Sequence, residues 1–277
     1  KSGSLNYEFS AKDGKSLISV TNDGKRVFDE LPRLNFWRAP TDNDFGDWSQ
    51  YRLRLWDAAG HNLIYTYKGM QETADGTSIS YLAKLRGIEA QVEITYLVNK
   101  DGSLTTTAHY QALSDDLPEM MRFGMLMTLP KEYDNFTWYG RGPWENYVDR
   151  HHDTFMGIWT GDVEEQAYPY FRPQETGNKT DVRWLTLKDK NNSGIRIDGL
   201  QPLSVSATNN MPEDLDPGMT KKQQHSSDIL PRKEVVLCVD LFQRGVAGLN
   251  SWGAAPLDQY RFFGKEYTYS YTISIIK

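Results

Sequence analysis

Apolar and polar residues alternate with a period of two along much of this chain, and that alternation limits the possible folds more than any other feature. In YTYSYTISI, Tyr267, Tyr269, Tyr271, Ile273 and Ile275 share one face, while Thr268, Ser270, Thr272 and Ser274 share the other. In QVEITYLV, Val92, Ile94, Tyr96 and Val98 alternate with Gln91, Glu93 and Thr95. The segments SISYLAKL, SLTTTAHY, VRWLTLK, GIRIDG and PLSVSAT read the same way. Successive strand side chains point to opposite faces, so this pattern marks strands covered on one side and wetter on the other, the antiparallel habit. Turn signals separate the runs: NDG at 22–24, KDG at 100–102 and KNNSG at 190–194. The expectation is an all-β chain of about fourteen strands. A sheet of that size is expected to split into two packed layers.

Helix is scarce. DWSQYRLRLWDAAG places Trp48, Tyr51, Leu55 and Trp56 at helical spacing, with Asp47 as cap and Gly60 as stop. A shorter helical turn is expected at MPEDLD, after Asn210. No internal repeat, low-complexity tract or linker appears, so residues 1–277 read as one domain.

Net charge of −6 and a pI near 5.5 leave no basic footprint for nucleic acid or an anionic membrane. No apolar run approaches the ~20 residues of a membrane span. The start KSGSLNYEFS has neither a signal core nor an initiator methionine, which reads as a mature or excised fragment and sets no compartment. The single Cys238 excludes an internal disulfide and reads as a small buried hydrophobe in EVVLCVDLF. Aromatics make up 13% of the chain, with 16 Tyr and 8 Trp, and such residues suit carbohydrate or protein contact because each joins a flat apolar face to a polar edge.

Candidate chemistry is sparse. His151 and His152 are adjacent, and side chains of adjacent extended residues diverge, so a shared metal is not expected. DND at 42–44 has the opening of a calcium loop, but Leu53 stands where the twelfth-position glutamate belongs. No phosphate-cradling loop and no G-x-S-x-G occurs. Glycoside hydrolysis needs two carboxyls roughly 5–9 Å apart, and Asp42, Asp44, Glu145 and Asp149 are the available groups. Arg38 and Arg141 lie close in sequence to these clusters; an arginine lowers a carboxyl pKa, whereas a general acid needs it raised. The clusters therefore read as structural ion pairs, Arg38 with Asp42 and Arg141 with Glu145. In GVAGLNSWGAAPL, Trp252 stands among small residues, either as a buried plug or as a ligand platform, and the residues alone leave both open.

Four stretches occur in order: NFWRAPTDNDFG (35–46), WYGRGPWENYVDR (138–150), YPYFRPQETGNKTDVRWL (168–185) and GVAGLNSWGAAPL (245–257). Together they closely resemble the C-terminal, small-chain domain (domain 5) of the large β-galactosidases of glycoside hydrolase family 2, across nearly the whole chain. The resemblance implies a β-supersandwich of the galactose-mutarotase-like type and a catalytic barrel that lies outside this chain. The family's retaining mechanism uses two glutamates of that barrel, so no catalytic residue is expected here. The resemblance implies a non-catalytic domain that completes the galactose pocket, with Trp252 stacking on the sugar and Asn250 beside it, although LNSW and GAAP only approximate the family pattern. Arg38, Asp42, Asn43, Arg141, Glu145 and Asn146 are then structural and interface residues that help the domain dock on the barrel. It implies no cofactor in this chain, since the Mg2+ and Na+ that such enzymes commonly use sit mainly at sites outside this domain. The implied partners are the barrel, the other domains and a galactoside such as lactose at the domain junction, in a bacterial cytoplasm or periplasm. Two rival readings are a free-standing sugar mutarotase or epimerase, with His109, His151, His152 and Glu145 as its groups, and an independent carbohydrate-binding module.

Overall fold

The structure, a computed structural model, describes residues 5–61 and 63–277; residues 1–4, which open the amino end read above, lie outside the described residues. Fifteen strands follow in order: β1 (Leu5–Phe9), β2 (Leu17–Asn22), β3 (Lys25–Arg26), β4 (Glu30–Asn35), β5 (Leu63–Glu72), β6 (Gly76–Leu85), β7 (Ala90–Asn99), β8 (Leu104–Ala112), β9 (Arg122–Leu129), β10 (Asn135–Gly142), β11 (Phe155–Asp162), β12 (Lys179–Lys188), β13 (Gly194–Thr208), β14 (Val235–Gln243) and β15 (Glu266–Ile276). All pair antiparallel, as the alternation predicts. The NDG signal makes the β2–β3 hairpin: Asp23 and Gly24 both take positive φ, 50° and 78°, the pairing a two-residue type I′ turn needs.

The long β13 splits the main sheet in two. Its first part, Gly194–Gly199, pairs with β15, and its last part, Ser204–Thr208, pairs with β14. One arm then runs β11-β10-β12-β13-β15-β8-β7-β6-β5, and the other runs from β13 through β14 and β9 to β4. Where the β13–β15 ladder ends, the Gln201 side chain takes over, accepting from Ser270 N and donating to Ser270 O. A strand that changes sheet at a bend turns the corner of a sandwich, and this one folds the sheet over its own apolar face.

Aromatic residues fill the space between the two arms. Phe123 of β9 lies 5.3 Å from Tyr269 and 5.9 Å from both Tyr110 and Phe36. The buried Tyr269 and Tyr271 hydroxyls cross to the facing layer and bond Val239 O at 3.2 Å and Met125 Sδ at 3.1 Å. A small three-stranded sheet, β1-β2-β3, adds Leu17 and Val20 to the same core, and the stretch after β3 adds Val27 and Phe28. Every residue of β9 is buried, because Leu126 on its outer face packs with Met211, Val236 and Cys238 beneath the segment after β13. Burial pushes the Cys238 thiol pKa up to about 12, so it behaves as the small hydrophobe expected.

The expected long helix at 47–60 is two short ones, α2 (Ser49–Arg52) and α3 (Leu55–His61), and a further short helix, α1 (Asp42–Gly46), precedes them. Trp48 takes a left-handed φ of 66° and breaks the run. Asp47 points its carboxylate at Ser49 and at Arg244 instead of capping a longer helix, and Gly60 sits inside α3. Of the predicted stripe, Trp56 is buried and Trp48 and Tyr51 are exposed. The turn at MPEDLD is present as α4 (Pro212–Leu215). Among the described residues, no helix is long and apolar enough to cross a membrane.

Candidate functional site

Trp252 is 91% exposed, so within this chain it is not a buried plug. The loop that carries it is braced from several sides. Arg38 donates to the carbonyls of Arg244 and Gly245, the latter at 3.1 Å, and Asn43 Nδ2 donates to Val246 O at 2.8 Å. The Asp149 carboxylate accepts from Val246 N and Ala247 N at 2.9 and 2.8 Å. Gly253, at φ 84°, lies against Gly46: a Cβ on Gly253 would stand 2.2 Å from Gly46 O. Asn250 turns its amide oxygen inward to Trp252 N at 2.8 Å and Ala254 N at 3.3 Å, which shapes the tip. A loop held at its base and bare at its tip presents one rigid indole face to whatever lies beside it.

Beneath this loop lies a buried ion network. Arg38, wholly buried, pairs with Asp44 and not with Asp42. Thr41 and Asp44 form a capping box on α1, which folds the Asp44 carboxylate back toward the core. Asp42, at the first helical position, points out and meets Lys221 at 2.5 Å and Arg172 at 3.9 Å. Arg244, also wholly buried, joins Asp44, Asp47 and Glu119. Burial pushes the Glu119 carboxyl up, but Arg261 and Arg244 outweigh it and hold the pKa below the ordinary value.

The second expected pair is also re-partnered. Arg141 leaves β10 toward Asp181, 2.6 Å away, and also donates to Thr154 O at 3.2 Å. Asp181 reaches it from a bulge in β12, where its φ is +56°. Asn146, wholly buried, satisfies that bulge by accepting from Thr180 N at 2.8 Å and Thr180 Oγ1 at 2.6 Å. Glu145 instead accepts from Arg150, the Tyr170 hydroxyl, Thr176 Oγ1 and Gly177 N. A carboxylate with so many donors is fixed in place by them. Residues 141 and 145 sit on either side of a chain turn after β10, so four positions of separation do not make them neighbours there as they would on a helix.

His151 and His152 follow in a turn rather than an extended run, and their rings lie 5.1 Å apart. Burial, Arg141 and His152 all lower the His151 pKa. His109, on β8, bonds Thr268 at 2.7 Å and makes no hydrogen bond with Glu145 or the histidine pair. The groups expected of a mutarotase are therefore not gathered. Among the described residues, no three or more His, Cys, Asp or Glu side chains converge in a way that would hold a metal ion.

Sequence reasoning named Asp44 and Asp149 only as candidate carboxyls, without their partners, and missed Glu119, Arg244 and Asp181. Only Asp44 carried a usable local signal, the Thr41-x-x-Asp44 capping pattern in TDND.

What the fold and site define is a β-sandwich that clamps its carboxylates with arginines and offers one exposed tryptophan on a braced loop. The chain belongs to the β-galactosidase small chain family, whose model matches residues 1–273. It is 35% identical over 242 residues to a β-galactosidase of Priestia megaterium, covering 87% of this chain and 23% of that protein. A β-galactosidase of Streptococcus thermophilus is 29% identical over 247 residues, covering 88% of this chain and 24% of that one. The chain thus spans about a quarter of the length of these curated relatives. Among solved structures, a GalM/aldose epimerase homologue from C. elegans matches distantly, with 10% identity, a TM-score of 0.37 and coverage of 76% of this chain and 69% of that one.

Proposed function

We propose that this chain acts as one domain, the non-catalytic C-terminal domain of a retaining family 2 β-galactosidase. It docks on a catalytic barrel outside this chain and supplies one wall of the galactose pocket. The observation that carries this reading is Trp252, solvent-exposed on a loop braced by Arg38, Asn43 and Asp149. An indole face covers the C–H side of a sugar while the hydroxyls reach polar partners around the rim. Asn250 contributes by holding the tip in shape. Arg38, Asn43, Arg141, Glu145 and Asn146 keep the loop and its supports rigid, and Asp42, at the surface with Lys221 and Arg172, belongs to the docking side. The two catalytic glutamates belong to the barrel beyond this chain, and the Mg2+ and Na+ of such enzymes sit mainly at sites outside this domain.

The carboxylates here also favour this reading over catalysis, since Glu145 and Asp44 are committed to arginines and backbone donors. The isolated chain assayed with a chromogenic β-galactoside therefore gives no turnover above a blank, however concentrated. Turnover that survives further purification and disappears in Glu145→Gln or Asp42→Asn would contradict the proposal.

A further inference from the structure

A cavity of small-molecule size lies away from the Trp252 loop. It measures about 540 Å³, within the ~300–1,000 Å³ range of small-molecule sites, and shares no lining residue with residues 245–257. Its walls come from the turn after β10 and from the stretch before β12. Trp144, 66% exposed, and Tyr168, 58% exposed, offer flat apolar faces to solvent, flanked by Pro143 and Pro169. Tyr170 packs on Tyr168 at 4.7 Å and holds it in place.

The polar lining is fixed before any ligand arrives. Glu145 is pinned by Arg150, Tyr170, Thr176 and Gly177. Lys179 is buried, gives one hydrogen bond, from Nζ to Gly177 O at 3.1 Å, and makes no ion pair among the described residues. Its ammonium stands 5.1 Å from the centre of the Trp138 ring. A buried ammonium with one protein acceptor has donor capacity left over, and leaving that capacity unmet costs free energy. Burial draws the Lys179 pKa down to about 8, so near neutrality the amine also has some capacity to accept.

The charges select the class of ligand. The lining carries three acids, Glu145, Asp153 and Glu165, against two bases, Arg150 and Lys179, a balance of one negative charge. An anion is not favoured there. A neutral polyol is favoured, because each hydroxyl both donates and accepts and so serves carboxylates and cations alike. With aromatic faces beside these groups, we propose that the cavity is a second saccharide site, taking one neutral hexose unit between Trp144 and Tyr168, with ring hydroxyls on Lys179 and on the exposed Asp153 and Glu165.

The test is calorimetric titration of the chain with D-galactose, D-glucose and lactose in turn, with inorganic sulfate as an anion probe. Saturable binding of at least one of the sugars is expected, weakened at least about tenfold by Trp144→Ala and by Tyr168→Ala and retained in Trp252→Ala. Both aromatic substitutions sit at exposed positions, so the variants keep the fold, and a thermal melt checks this. Three results overturn the proposal: no saturable sugar binding, binding of sulfate alone, or sugar binding that Trp252→Ala removes and Trp144→Ala leaves intact. The last would leave the role proposed for Trp252 standing.

Discussion

Arg38 and Arg141 look alike in the sequence, each an arginine near acidic residues, yet their surroundings give them different weights. Arg38 and Asp44 are both fully desolvated, and Arg38 also holds two carbonyls of the Trp252 loop. Arg141 and Asp181 are 28% and 36% exposed. Breaking a buried pair leaves an uncompensated charge, about 3–5 kcal/mol, whereas an exposed pair contributes about 0–1 kcal/mol. Urea unfolding is therefore expected to show a loss of about 3–5 kcal/mol for Arg38→Ala and about 1 kcal/mol for Arg141→Ala. Equal losses would show that burial is not the deciding factor. Lys179 gives a prediction with a sign. Its pKa falls from 10.5 unfolded to about 8 folded, so between those values the unfolded chain holds a proton that the folded chain lacks. Stability then rises with pH across that window, by on the order of 3 kcal/mol, and Lys179→Met abolishes the rise. A wild-type curve parallel to the variant's from pH 8 to 10.5 would refute it. The sequence supported the idea that the acidic clusters are ion-paired, since arginines stand close by. It did not reveal which carboxylate each arginine takes. Asp42 and Asp44 differ only in helix position, and Glu119 and Arg244 meet across 125 residues of chain.

At the scale of elements, local signals succeeded where the backbone obeys its own period. The strands of YTYSYTISI and QVEITYLV are present, with Tyr269, Tyr271, Val92 and Ile94 buried, because pleating imposes alternation whatever lies elsewhere in the chain. The helix at 47–60 failed for the complementary reason. Asp47 is drawn to Arg244 from a distant strand end, and that pull turns the chain at Trp48, which no local pattern records. The loop at 245–257 was legible as glycine-rich, but not its bracing, which comes from residues 38, 43, 46 and 149. Gly253→Ala tests the bracing. A left-handed φ costs a non-glycine residue about 1–2 kcal/mol, and the added Cβ would meet Gly46 O. The expected result is faster chymotryptic cleavage at Leu249, Trp252 or Leu257 with little change in the global melting temperature. Cleavage as slow as in the wild type would mean that the Gly46 contact does not hold the loop.

For the molecule as a whole, the all-β class and the division into packed layers followed from strand number and alternation. The corner at β13, where one strand feeds both layers, did not, because GIRIDG and PLSVSAT read as two separate strands. The architecture leaves the core and the Trp252 loop mechanically separate: the aromatic core lies between the two arms, and the indole stands outside them. That separation makes the proposed role testable by a single substitution in the intact β-galactosidase that contains this chain. Losing an aromatic anchor commonly costs about 2 kcal/mol, and tenfold corresponds to about 1.4 kcal/mol. For Trp252→Ala the account predicts a KM for lactose at least about tenfold higher, with the melting temperature of the domain unchanged. An unchanged KM with a lowered melting temperature would contradict it, making Trp252 a packing residue against a neighbouring domain and not a wall of the sugar site.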